Sequence, residues 1–309
     1  PPGQYDLRLE EARIAQAELA REYGIYGFCY YHYWFNGKRL LERPFNEVLA
    51  SGRPDFPFCL CWANEEWTRA WDGRTSETLI GQSYDSQDDV NHIRWLINAF
   101  RDERYIRIEG KPLFFVYRAS KLPDSLNTTN IWREEAAKAG IGDIFLARVE
   151  SMMGEYSVDP VKTGFDAAVE FQPRWRDLGK PFDRGFMSRV LARVGFEQPY
   201  MAHRFYDYGS VVERMINEAK PDYKRFSCVC PQWDNSPRRK ADAVILHNST
   251  PELYGRWLET SVKRSIESGN EFIIINAWNE WAEGNHLEPC LKWGRAYLEA
   301  TRNTLQKFV

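Results

Sequence analysis

Seven short apolar runs alternate with amphipathic stretches along this chain, and that alternation limits the fold more than any other feature. The runs are 25–34 (IYGFCYYHYW), 56–65 (FPFCLCWANE), 112–118 (PLFFVYR), 144–151 (IFLARVES), 165–173 (FDAAVEFQP), 226–233 (FSCVCPQW) and 271–278 (EFIIINAW). Helical patterns fill the intervals at 7–23, 44–50, from 85/86 to about 100, 131–139, 210–219, 251–268 and 291–305. Asp6 is the expected N-cap of the first, Thr250 of the sixth, and Gly24, Gly52, Gly140 and Gly269 stand where helices should stop. Residues 66–84 read as a polar loop. Strands alternating with helices predict an α/β chain with a mostly parallel sheet. Near-continuous apolar runs are what strands covered on both faces require. Seven strands in a chain that opens on a helix fit a (β/α)8 TIM-type barrel whose first strand lies upstream of Pro1 or is supplied by another segment. The rival is an open doubly wound sheet, which would carry a glycine-rich turn after an early strand. Neither G-x-G-x-x-G nor G-x-x-x-x-G-K-[ST] occurs. At 309 residues the expectation is one domain, 1–309, with a long loop insertion at about 174–206 that is either a lid or an exposed excursion.

In parallel α/β folds ligands bind at the C-terminal ends of the strands. The ends here gather Tyr31, His32 and Trp34; Trp62, Asn64, Glu65, Trp67 and Trp71; Tyr117; Glu150; Gln172; Trp233, Asp234 and Asn235; and Trp278, Asn279 and Trp281, with His286 shortly after. Of the 12 tryptophans, eight (34, 62, 67, 71, 175, 233, 278 and 281) lie at or just past a strand end. Indole faces take the C–H faces of a sugar ring, and neighbouring carboxylates and amides take its hydroxyls. All of these residues are therefore candidates for binding an oligo- or polysaccharide. The charge balance agrees: 41 Lys and Arg against 44 Asp and Glu leave −3, which offers nucleic acid no electrostatic footprint. Arg238, Arg239 and Lys240 read as a solvated turn. Mean hydropathy is −0.57, and no apolar run is long enough to span a membrane.

The densest constellation is NAWNEWAEGNHLEP, 276–289. Glu280 and Glu283 stand three apart just past a buried strand, walled by Trp278 and Trp281. Two carboxylates held close in such surroundings have their pKa values pushed apart, so one can donate a proton while the other accepts. These are the candidate catalytic pair. The competing reading is two surface glutamates opening a helix, where acids suit the dipole. Five scattered histidines show no H-E-x-x-H, and G-x-S-x-G is absent. No metal or organic cofactor is called for. The C-x-C pairs Cys59/Cys61 and Cys228/Cys230 sit in β-type runs, face one way at period two, and read as buried reduced thiols. Unpaired thiols and the lack of a visible signal peptide point to a cytoplasmic location.

N-E-W-x-E followed by G and L-E-P resembles the catalytic loop of glycoside hydrolase family ninety-nine, the endo-α-mannosidases and endomannanases. The segments YGFCYYHYWFNGKRLLERPF and CWANEEWTRAWDG resemble more specifically the WbsX-like domain of bacterial polysaccharide and O-antigen gene clusters. The resemblance runs from Tyr5 to the last helix. It implies a (β/α)8 barrel and retaining endo-hydrolysis of an α-mannoside-like linkage through a 1,2-anhydro sugar. Carried over, Glu280 is the base that takes the 2-hydroxyl proton; Glu283 is the acid that protonates the leaving oxygen and then the base for water. It also implies a chain fused to, or working with, glycosyltransferases. Ala282 stands where the hydrolases commonly carry His. Two alternatives stay open: a glycosyltransferase or transglycosylase using the same carboxylates, and a non-catalytic carbohydrate-binding domain of a larger synthase.

Overall fold

A computed structural model of the protein describes residues 5–69, 74–151, 155–156, 158–182, 202–239 and 241–308. Seven parallel strands follow one another in space in chain order. They are β1 (Phe28–Phe35), β2 (Phe58–Trp62), β3 (Lys111–Val116), β4 (Phe145–Glu150), β5 (Ala167–Glu170), β6 in two pieces (Arg225–Phe226 and Cys228–Val229) and β7 (Ile274–Ile275). Each is parallel to the next. The two pieces of β6 divide the work: Arg225–Phe226 pairs with β5, Cys228–Val229 with β7. Among the described residues no ladder joins β7 to β1. There the Trp278 and Phe28 rings meet instead, with centroids 5.3 Å apart.

The helices are α1 (Glu10–Glu22), α2 (Arg43–Ser51), α3 (Ser86–Phe100), α4 (Ser125–Lys138), α5 (Tyr208–Ile216), α6 (Pro251–Glu267) and α7 (Ala296–Leu305). Asp85, Asp124, Asp207 and Thr250 each accept a hydrogen bond from the backbone N–H three residues on, which fixes where α3, α4, α5 and α6 begin. The first helix departs from expectation. Asp6 does not cap it; its carboxylate takes the Arg8 guanidinium, and α1 starts later without a side-chain cap. A core of Trp62, Phe114, Trp132, Ile93, Leu96 and Phe100 fills the space between β2–β3 and α3–α4.

Two further departures have local causes. The stretch expected to be a polar loop carries an antiparallel hairpin, Trp67–Arg69 with Arg74–Ile80, because its threonines suit extended backbone. The run 226–233 is not one strand. Pro231 offers no N–H, and beyond it Trp233–Asp234 leaves the parallel sheet to pair antiparallel with Val244–His247. Arg204–Asp207 completes that three-stranded side sheet. The 174–206 insertion is anchored at its start, where Arg174 is buried and ion-paired to Glu218. Residues 183–201 of this insertion lie outside the described residues.

Candidate active site

Beyond β7 the backbone is held to its neighbours before it turns. Asn276 donates its side-chain amide to the Gln172 carbonyl at 2.6 Å and its backbone N–H to the Val229 carbonyl at 2.9 Å. Asn279–Glu280 then pairs antiparallel with Asn285–His286 around a single 3-10 turn, Trp281–Glu283. A 3-10 helix has three residues per turn, so Glu280 and Glu283 emerge on one side. Gly284 closes the turn at φ 56°. A Cβ there would sit 3.0 Å from the Asp234 Cβ and 3.1 Å from the Asp234 backbone N and O, so only glycine lets the two loops approach this closely.

That approach brings in a residue expected to be solvated. Arg238 ends the turn Ser236–Arg238 and forks onto both glutamates: Nη2 donates to Glu280 Oε1 at 2.9 Å and Nη1 to Glu283 Oε1 at 3.1 Å. Burial pushes the Glu283 carboxyl up to about 6; Arg238 opposes the rise and the charge of Glu280 adds to it. Behind the turn, the Trp281 ring stacks on His286 with centroids 3.7 Å apart. His286 Nδ1–H donates to the Glu288 carbonyl at 3.0 Å, which leaves Nε2 to accept from the Gln232 amide, also at 3.0 Å. Burial lowers the His286 pKa and keeps the ring neutral. The buried Glu288 carboxylate, absent from the candidates, accepts from Trp281 Nε1 at 2.7 Å, the Tyr5 hydroxyl at 2.8 Å and Gln16 at 2.6 Å. The same Tyr5 hydroxyl accepts from Asn279.

The glutamates face aromatic side chains from β1 and the end of β3. Burial, then the charge of Glu280, pushes the Tyr33 hydroxyl up to about 12. Tyr117 is raised by burial and then by Glu65, with Glu283 contributing. Tyr31 joins them, its ring 6.4 Å from Tyr33 and 6.2 Å from Tyr117. Trp67 meets Tyr33 edge-on at 5.3 Å. Glu65 pairs with Arg118 at the same rim. The cleft thus brings together Tyr31, Glu65, Trp67, Tyr117, Glu280 and Glu283, and adds Tyr33 and Arg238.

Other candidates lie elsewhere, for one physical reason. Successive side chains of a strand face opposite ways. With Tyr31 and Tyr33 toward the cleft, His32 and Trp34 point into the helix layer. His32 Nε2 is 3.0 Å from His92 Nε2, and Trp34 Nε1 donates to Asp88 at 2.9 Å. Trp62 packs against His92 and Trp132, not beside Tyr31. Glu150 is fully buried, accepting from the Tyr223 hydroxyl at 2.6 Å and lying 3.6 Å from Arg225. Gln172 is buried against Met215 of α5. Asn64 clamps the ends of β2 and β3, accepting from Arg118 N and donating to Arg118 O. Asn235 accepts from the Val244 N–H, and Trp233 is buried edge-on to the exposed Trp175. Asp234 accepts from Ser236 N, holding the turn that carries Arg238. Trp278 is half-buried against Phe28. Trp71 falls outside the described residues.

Residues 2–301 match the family model described as glycosyltransferase WbsX. The chain belongs to this family. Two relatives, both proteins named WxcX from strains of Xanthomonas campestris pv. campestris, are 40% identical over 308 residues, 99% of this chain but 43% of their own length. The WbsX-family chain thus spans less than half of the curated relatives it matches. Among solved structures, it is similar to a glycoside hydrolase-like protein (TM-score 0.61, 15% identity, 98% of this chain and 88% of that one). It is also similar to the GH99 endo-alpha-mannosidase from Bacteroides thetaiotaomicron (TM-score 0.56, 14% identity, 98% and 81%). At such identities the likeness is one of fold.

Proposed function

We propose that this WbsX-family chain is a retaining endo-type glycoside hydrolase acting on α-mannoside-like linkages of bacterial polysaccharide. The observation that carries the reading is the pair Glu280 and Glu283 on one fork, with the Glu283 carboxyl raised to about 6. A carboxyl titrating there is protonated often enough near neutrality to serve as a general acid. Arg238 holds the Oε1 atoms, so the proton transfers fall to the Oε2 atoms. Glu280 takes the proton from the sugar 2-hydroxyl as O2 attacks C1. The C1 bond to the leaving oxygen breaks, and Glu283 gives that oxygen its proton. Water then adds at C1 with Glu283 as base, the O2–C1 bond opens, and Glu280 returns its proton to O2. Two inversions give net retention. Tyr31, Tyr33, Trp67 and Tyr117 supply the walls of the sugar site and Glu65 a hydroxyl acceptor. In this reading the sheet is a (β/α)8 barrel with an eighth strand between β7 and β1.

A second reading is transfer, favoured by the description of the family as a glycosyltransferase. Wild type, Glu280→Gln and Glu283→Gln, incubated with α-mannosyl oligosaccharides and fluorides and followed by NMR of the product anomers, separate the two. Hydrolysis with retention, lost in both variants, supports the hydrolase. Turnover by wild type only with a nucleotide-sugar donor supports the transferase. Hydrolysis undiminished in both variants refutes the assignment of the pair.

A further inference from the structure

Three of the six cysteines converge at a place the sugar chemistry does not use. Cys29 of β1 stands in register with Cys59 of β2, and Cys61 follows two residues along the same face. Tyr31, two residues beyond Cys29 toward the strand end, is on that face as well, so Cys29 lies about 7 Å deeper than the aromatic wall. Cys59 and Cys61 are 3% and 5% exposed, whereas Cys29 is reached by solvent. Cys59 and Cys61 are the neighbours that act on the Cys29 thiol. These two neighbouring thiols favour the Cys29 thiolate and pull it down to about 5, while Cys59 and Cys61 are raised well above the ordinary thiol value. The arrangement is an accessible thiolate with two buried thiols behind it, one of them directly across a strand pair. Adjacent strands run about 4.8 Å apart, within the Cα separation that a disulfide spans.

We propose that Cys29 is a thiol modification site at the floor of the cleft, which takes small electrophiles and, with a peroxide, closes a disulfide onto Cys59. The Cys29 thiolate attacks one peroxide oxygen, the O–O bond breaks, and a sulfenic acid and hydroxide form. The Cys59 sulfur then attacks the Cys29 sulfur, the S–O bond breaks, and the hydroxyl leaves as water with the Cys59 proton. Two thiols are oxidised and one peroxide is reduced.

The folded protein is treated with iodoacetamide between pH 6 and 8, and each cysteine is followed by peptide mass spectrometry. Cys29 is expected to react at a rate that changes less than twofold over this range, whereas an ordinary thiol gains roughly 75-fold. Cys59→Ala should give Cys29 a rising profile. Cys59→Ser, which keeps a donor, should preserve the flat one and reports on the network apart from any loss of fold. One equivalent of hydrogen peroxide should yield the Cys29–Cys59 cross-linked peptide, absent from Cys59→Ser. A Cys29 that stays unmodified in the native protein, or whose rate climbs like that of an ordinary thiol, overturns the site. Oxidation of Cys29 without the cross-link overturns the disulfide.

Discussion

Replacing Arg238 with methionine tests the electrostatics of the glutamate pair without needing the substrate. Methionine keeps much of the stem and removes the charge. In the wild type the guanidinium lies 3.1 Å from Glu283 Oε1, and the Arg238 side chain is 48% exposed. A half-exposed charge acts through a dielectric close to that of water. At ~80, Coulomb's law over that separation gives about 1.3 kcal/mol, or about one pH unit. The Glu283 carboxyl, at about 6 in the wild type, is therefore expected near roughly 7 in Arg238→Met. The assay is a carboxyl carbon NMR titration of protein labelled in its glutamate side chains, with Glu283 assigned by the signal lost in Glu283→Gln. Arg239→Met is the control: Arg239 also lowers the Glu283 value but ranks last among its causes, so a smaller shift is expected. If Glu283 is the proton donor, the alkaline limb of the rate profile moves up with it, because the protonated form survives to higher pH. A Glu283 midpoint that stays put or falls in Arg238→Met refutes the fork as a charge-compensating device.

Glu283→Gln should stabilise the fold while removing activity. Its folded pKa is raised, so the stabilising protonated state is lost as pH rises from about 4.5 through 6, and at pH 7 the ionised group costs up to roughly 2 kcal/mol, a difference that chemical denaturation should show at pH 7 and lose at pH 4. His32 and His92 carry the opposite sign. Burial lowers His32 to about 3 and His92 well below its ordinary value, so their contribution is full above pH 6.5 and is lost as pH falls toward the folded values. Denaturation at pH 7 and pH 5 should show the wild type losing roughly 4 kcal/mol more than His32→Phe/His92→Phe. Gly284→Ala should cost about 1–2 kcal/mol in thermal unfolding and disturb the Glu283 titration, since it puts an L side chain at φ 56° against Asp234.

The succession of strands and helices was legible because it depends on periodicity, and periodicity survives in a single sequence. All seven apolar runs contain a strand, and the N-cap at Thr250 is where the capping pattern puts it. Strand ends were less legible, since the final residues of a run such as 226–233 are claimed by whichever neighbour pairs with them. Trp233 goes to a side sheet that its own segment does not announce. The candidate site suffered from a different error. Grouping every aromatic and carboxylate near a strand end ignores that a strand shows only alternate residues to one face. IYGFCYYHYW is rich in rings on both faces, and its composition is silent on which set meets the cleft. Parity alone would have divided Tyr31 and Tyr33 from His32 and Trp34, given one anchored residue.

Arg238 was illegible for a deeper reason. Its role depends on a contact across 42 positions of sequence, between two turns that meet only because Gly284 lacks a Cβ. Within PRRK the residue reads as solvated, and by exposure it nearly is. What distinguishes it is the partner, and a partner pair is a property of the fold. The near-neutral charge of the chain carried a usable hint nonetheless. Two clustered carboxylates at the end of one strand require a counter-charge from another strand end if both are to ionise. The loop before it that combines a tight turn with consecutive arginines is the natural supplier. The same reasoning explains why Glu288 was missed. It is buried, and its three donors come from α1, the segment before α1 and the turn Trp281–Glu283, so its task is to hold Trp281 and the N-terminal segment together beside the pair. A buried carboxylate saturated by neutral donors shapes a site by fixing its neighbours, whereas one raised by burial, like Glu283, is free to exchange its proton.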